Sequence, residues 1–287
     1  MLFLVTASLI WAFSFGLIKS FAGGIDPFVL GTARTGIAAL FFLPWFTGKR
    51  SFQLSRQIMI KAMICGFLQI GLMYGPYLLS FRYLKSHEVA LFTMTTPVWM
   101  ALIIAIEKRR LTWTMTLAAA LATVGGVIAA GGATTPDPAV FGIILVQISN
   151  ILFSLGLVLW TRWIAPGDHN QSALMFPFFL GAFVASTFLA LILATDIKPF
   201  TSQEALIAIY LGVFASGLGF FLWNKGALRV GPVVLGAANN IKLPIAVLVS
   251  LTVFGESTNL INLSVGGVLI LFAIWIASKR DRFSSRG

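Results

Sequence analysis

The sequence predicts an all-α integral membrane protein: ten transmembrane helices, arranged as two five-helix repeats of inverted topology. Three observations lead there. The 287 residues are 58% hydrophobic and only 10% charged, with a mean hydropathy of +0.94, whereas a soluble domain carries about 25% charged residues. A globule in water cannot hide that much apolar surface, so lipid must be the solvent for most of it. The apolar residues also fall into ten runs of near-spanning length with short connections between them. Finally, one hairpin plan is written twice, about half a chain apart.

In order, the runs are residues 2–18, 27–46, 62–80, 89–106, 113–131, 139–160, 172–194, 205–223, 233–254 and 260–277. The first holds Trp11, ends at Lys19 and has no basic region ahead of it, so it reads as a span and not a cleavable leader. The fourth carries Thr93, Thr95, Thr96, Pro97 and Trp99, and a charged turn with Glu107 follows it. The ninth carries Asn239, Asn240, Lys242 and Pro244, and a turn with Glu256 follows. Phe13-Ser14-Phe15-Gly16-Leu17 in the first run matches Phe153-Ser154-Leu155-Gly156-Leu157 in the sixth. Tyr83-Leu84-Lys85 matches Ala227-Leu228-Arg229, and Pro97 matches Pro244, with offsets drifting only from 140 to 149. The repeats are therefore residues 1–132 and 139–279, with a basic tail at 280–287. Each half has an odd number of spans, so the second enters the membrane from the opposite side.

With the amino terminus in the cytoplasm, the inner segments hold 14 Lys and Arg residues and the outer ones 4. That bias places both termini inside. The net charge of +11 does not point to nucleic acid, because the basic residues sit between apolar runs and not along one face. The lone Cys65 has no metal-ligand spacing and no disulfide partner. His87 and His169 lie in loops, away from any acid cluster. Neither a phosphate-cradling glycine loop nor a nucleophile–base constellation occurs. ATP-driven pumping, proteolysis, cofactors and metals are therefore not expected.

Polar groups inside lipid are costly and are the default functional candidates. Lys242 is the sharpest, because no Asp or Glu lies within a span to pair with it. It can bind a substrate carboxylate or carry a proton. It can also snorkel, or bond carbonyls freed by Pro244. Asn239 and Asn240 offer donors and acceptors that suit a zwitterion or join helices. Thr95, Asn150, Ser154 and Ser14 add polar groups to the fourth, sixth and first runs. Trp11, Tyr74 and Trp99 lie deep enough to stack on an organic substrate. Trp160 and Trp223 fall at cytoplasmic ends, where an aromatic belt is expected. Pro97 and Pro244 hinge their helices or free backbone carbonyls. Gly212 and Ser216 form a small-xxx-small pair that packs within a monomer or between monomers.

The opening motif Ile10-Trp11-Ala12-Phe13-Ser14-Phe15 with Lys19, Arg34 in the second run, and the proline–apolar–Glu–glycine-rich series at 97–126 and 244–267 together resemble the EamA branch of the drug/metabolite transporter superfamily. The first copy departs from that pattern by reading Ile106-Glu107 in place of Gly-Glu. The resemblance implies ten-helix secondary transport by alternating access across a bacterial inner membrane. It also implies a cavity lined by spans one, three, four, six, eight and nine, with Arg34 in a structural or gating role. Bacterial members such as the YddG-type proteins imply export of amino acids, including aromatic ones, or related metabolites. The rival within the fold is an organic-anion or phosphate-ester exchanger using Lys242 and Arg34 as anion clamps. A lipid-modifying enzyme or a channel is the rival outside it. The expected partners are the lipid bilayer and a small-molecule substrate, with the chain a monomer or weak homo-oligomer.

Overall fold

The computed structural model describes residues 1–48, 54–107, 138–164, 170–230, 242–255 and 259–284, with 109, 113, 117, 120, 121, 124, 125, 128, 235, 238 and 239. Among these residues the chain is all helix, with no strand. We number the helices in chain order: α1 Leu2–Phe21, α2 Pro27–Thr47, α3 Arg56–Ser80, α4 Ser86–Glu107, α5 Pro138–Ile164, α6 Gln171–Leu193, α7 Ser202–Ala227, α8 Lys242–Thr252 and α9 Leu260–Ser284. Seven of them, α1 to α7, are long and apolar enough to cross a membrane. They coincide with seven of the expected runs, extended by a turn or so at several ends. The fifth expected run lies mostly outside the described residues, as do Lys108, Arg110, His169, Asn240 and Glu256. The helix α9 continues to Ser284, into the residues read as the basic tail.

Local chemistry accounts for the helix ends. Asp26 caps α2 by accepting from the Phe28 and Val29 amides, with Pro27 at the first helical position. Ser55 caps α3 and Asn170 caps α6. Thr201 and Glu204 form a reciprocal capping box at the start of α7. Two helices are underwound in their middles. Both α3 and α7 widen into a π-helical segment, at Phe67–Leu72 and Leu211–Leu218. Such segments concentrate at functional places.

Contacts at the helix ends fix the directions. Phe3 lies under Lys225 and Arg229, so the start of α1 meets the end of α7. Phe46 stacks on Phe176, and Asp26 accepts from Thr195, so α2 and α6 run antiparallel. Glu107 pairs with Arg162, joining the ends of α4 and α5. Along their lengths, α2 packs on α6, α1 on α7 and α8, and α5 on α3 and α4. The bundle core is continuous across these contacts.

Two details correct expectations from the sequence. Trp160 and Trp223 are not interfacial: they are 0% and 1% exposed, among the largest fully buried side chains. Each has enough helix beyond it to leave it inside the bundle. His87 is likewise no loop residue, but is buried in the first turn of α4. The Gly212 and Ser216 pair is spent inside the monomer. A Cβ on Gly212 would stand 2.7 Å from Ile37 Cβ, and Ser216 bonds Arg34, so α7 lies close against α2.

Candidate functional site

Seven helices converge on one cavity. Trp11, Ser14 and Phe15 of α1 line it with Arg34 of α2 and Met73, Tyr74 and Tyr77 of α3. Thr93 and Thr96 of α4, Ser149, Asn150 and Phe153 of α5, Phe220 of α7, and Asn239 with Lys242 of α8 complete the wall. Residues of the first, third, fourth, sixth, eighth and ninth apolar runs all contribute. Arg34 adds the second span.

Backbone chemistry sets the polar side of this wall. Pro97 has no N–H, so the Thr93 carbonyl one turn earlier cannot make its α-helical bond there. The chain answers with a short 3₁₀ turn at Thr93–Thr95. The Thr93 carbonyl then accepts from Asn239 Nδ2 at 3.1 Å, from the other half of the chain. Asn239 Oδ1 in turn accepts from Lys242 Nζ at 3.1 Å. Asn239 thus ties the ammonium to the Thr93 carbonyl. Thr93, Thr95 and Thr96 each bond back to their own helix.

Lys242 is 7% exposed, and its Nζ lies 5.3 Å from the Trp11 ring centroid and 5.9 Å from that of Phe15. Ring faces attract a cation but do not neutralise it. Among the described residues no carboxylate lines the cavity. Asp26, Glu88, Glu107 and Glu204 all lie at helix ends. Arg34, 2% exposed, is the second cation on the cavity and is equally without a carboxylate there. The other predicted residues sort cleanly. Trp11, Ser14, Tyr74, Asn150, Asn239, Lys242 and Arg34 reach the cavity. Trp11 is anchored by Nε1 donating to the Ala215 carbonyl at 2.8 Å, inside the π segment of α7. Thr95, Trp99 and Ser154 stand behind it. Thr95 and Trp99 both donate to Gln147 Oε1, and Ser154 donates to the Thr96 carbonyl, so they join α4 to α5. Asn150 spans both groups, donating to the Phe92 carbonyl and to Thr95. Pro97 itself is half-buried off the cavity, and Pro244 sits in the first turn of α8.

Sequence reasoning missed Ser216, Phe153, Phe220 and Met73. Phe220 lies one helical turn beyond Ser216 on α7, and that spacing is the signal that was present. Below the cavity, one turn from Met73 and Phe220 along their helices, Gln69 Nε2 donates to Asn224 Oδ1 at 2.9 Å. Trp11, Phe153, Phe220 and Trp223 pack together above this pair, with centroids 5.1 to 6.4 Å apart. This layer closes the cavity toward the end of the bundle that holds Arg56 and Ala227.

Residues 1–130 match the model of the EamA-like transporter family. The biotin transporter of Escherichia coli (strain K12) is 35% identical over 282 residues, covering 97% of this chain and 93% of that protein. The chain belongs to the EamA-like transporter family. It is therefore a multi-pass membrane transporter within the drug/metabolite superfamily. The probable biotin transporter of Pseudomonas aeruginosa is 32% identical, covering 96% of each chain. The chain also matches a solved crystal structure at 20% identity and a TM-score of 0.67, covering 98% of this chain and 96% of that one. That match speaks for the fold alone. These two relatives are named for biotin, so they do not support the expected likeness to YddG-type amino-acid exporters.

Proposed function

We propose that this chain carries biotin, or a closely similar carboxylate bearing a hydrogen-bonding ring, across the bacterial inner membrane by alternating access. The observation that carries the reading is the cavity itself: two buried cations, no carboxylate among the described residues, and aromatic walls. A site of that composition is incomplete without an anion. The carboxylate meets Lys242, and the apolar arm and sulfur ring pack on Trp11, Phe153 and Phe220. The relatives' names favour biotin over the amino acids that the family resemblance implied.

The ten-span inverted repeat belongs to the same reading. If α1 and α5, α2 and α6, and α3 and α7 are counterparts, the packing exchanges correctly: α1 on α7 mirrors α5 on α3, and α2 lies against its own counterpart α6. The π segments at 67–72 and 211–218 fall at one offset within the range found in the sequence. The basic residues Arg56, Arg162, Lys225 and Arg229 share one end of the bundle, which supports reading that end, and both termini, as cytoplasmic. The layer of Gln69, Asn224 and Trp223 is then the cytoplasmic barrier, and it must part for release. Among the described residues no carboxylate lines the cavity to relay protons, so we read the carrier as working down the substrate gradient.

The test is flux of radiolabelled biotin in proteoliposomes, with an amino-acid panel beside it, each with and without a pH gradient. Saturable, self-competed biotin flux without the gradient is the expected result. Amino-acid flux without biotin flux would overturn the substrate. Biotin flux that needs an internal anion would make the chain an exchanger, and flux that needs the pH gradient would make Lys242 a proton carrier.

A further inference from the structure

Arg34 has the least complete bonding of the residues on the cavity. Its Nε donates to Ser216 Oγ at 3.1 Å and its Nη2 to Tyr74 Oη at 2.9 Å. The guanidinium lies 4.3 Å from the Tyr74 ring centroid. Nη1 is buried with no partner. The two hydroxyls are 2.8 Å apart. Arginine has no acceptor, so the two hydroxyl protons serve only the hydroxyls themselves. One proton makes the bond between them, and one is left over. The cluster therefore presents one O–H and the Nη1 hydrogens, with a positive charge behind them and no anion to meet. Ser216 is fully buried and Tyr74 is 2% exposed, so water does not reach these donors freely.

The two cations address different parts of the wall. Lys242 faces the rings of Trp11 and Phe15. Arg34 faces Tyr74 and Ser216. The Trp11 indole stands between them, its face toward Lys242 and its N–H on the Ala215 carbonyl beside Ser216. A ligand that satisfies both needs two electron-rich poles held apart by an apolar stretch.

We propose that Arg34, Tyr74 and Ser216 form a specificity subsite for the carbonyl oxygen of the substrate's cyclic urea, while Lys242 holds the carboxylate at the other pole. A urea oxygen suits the donors on offer. Two nitrogens push charge onto one oxygen, which accepts several hydrogen bonds and donates none. It satisfies Nη1 and the spare hydroxyl without a full charge, so the guanidinium keeps its bonds to Tyr74 and Ser216. This assignment rests on the biotin reading above and adds what recognises the ring.

The experiment is competition binding to the purified full chain in nanodiscs, with radiolabelled biotin as tracer. The competitors are lipoate, a carboxylate arm on a ring without a urea, and biotinamide, which keeps the urea and lacks the carboxylate. The variants are Tyr74→Phe and Ser216→Ala, which remove single hydroxyls and leave Arg34 in place. The wild type is expected to prefer biotin over lipoate by about tenfold or more, as sites with dedicated donors do. Together the two changes remove the spare hydroxyl and are expected to lose roughly three- to tenfold in biotin affinity, as for a lost neutral hydrogen bond, with lipoate unchanged. The ratio of biotin to biotinamide should stay as in the wild type. Lys242→Met should do the reverse. Equal losses for biotin and lipoate, or no loss for either, would make the cluster purely structural and overturn the subsite alone. A collapsed biotin-to-biotinamide ratio in Tyr74→Phe would put the carboxylate at Arg34 and overturn it too. A wild type that does not bind biotin would overturn the subsite and the biotin reading together.

Discussion

Replacing Lys242 by Met should move stability and binding in opposite directions. The side chain is 7% exposed, and Nζ has one hydrogen-bond acceptor, Asn239 Oδ1, with two ring faces above it. A carboxylate about 4 Å from this ammonium gains about 4 kcal/mol at an effective dielectric of about 20. Removing one partner of such a buried pair costs about 2–5 kcal/mol. Taking 2–4 kcal/mol, biotin affinity should fall about 30- to 1,000-fold. The folded protein gains in exchange. A lysine at the centre of a span costs about 2.5–3.5 kcal/mol to insert, and the ring faces return only about 0.5–2 kcal/mol of that. Methionine is close in length and fills the same space, so the melting temperature in detergent should hold or rise. The assay is a thermal melt and a biotin titration on one preparation. Biotin affinity within about threefold of wild type would refute the argument, as would a variant that melts lower with binding intact. Either result would make the Asn239 and ring contacts the purpose of the residue.

Other predictions follow from the same geometry. Trp11→Phe keeps a ring over Lys242 but loses the bond to the Ala215 carbonyl. About 1 kcal/mol, a three- to tenfold drop in biotin affinity, is expected by titration, and Trp11→Ala should lose binding altogether. Asn224→Leu strands Gln69 and should destabilise by about 1–3 kcal/mol in a detergent melt. The double change Gln69→Leu with Asn224→Leu should recover most of that, yet slow flux by holding the barrier shut. Gly212→Ala drives a Cβ to 2.7 Å from Ile37 Cβ and 3.3 Å from the Arg34 carbonyl. It should cost about 1–3 kcal/mol and weaken biotin binding through the displaced α2, whereas Gly255→Ala, strained only by its own backbone, should leave binding unchanged.

The sequence by itself determined the solvent of this protein. Composition and run length demanded lipid, because backbone and apolar side chains impose that requirement residue by residue. The seven long helices fall where the runs predicted for the same reason. Lys242 and Asn239, which line the cavity, stood out in the sequence because a lysine in an apolar run with no nearby acid is unusual wherever the chain folds. Tertiary structure decided the rest. Trp160 and Trp223 could be read as belt residues from their places in the runs, yet other helices cover them completely. Thr95, Trp99 and Ser154 share composition with the cavity residues, and only the rotation of α4 against α5 turned them away from it. Arg34 is the clearest case. Its sequence neighbours say nothing of Tyr74, 40 residues on, or Ser216, 182 residues on. Hydropathy counts what one helix shows to its surroundings. Which donors end up facing one another depends on how helices from both halves of the chain pack, and no local pattern carries that information.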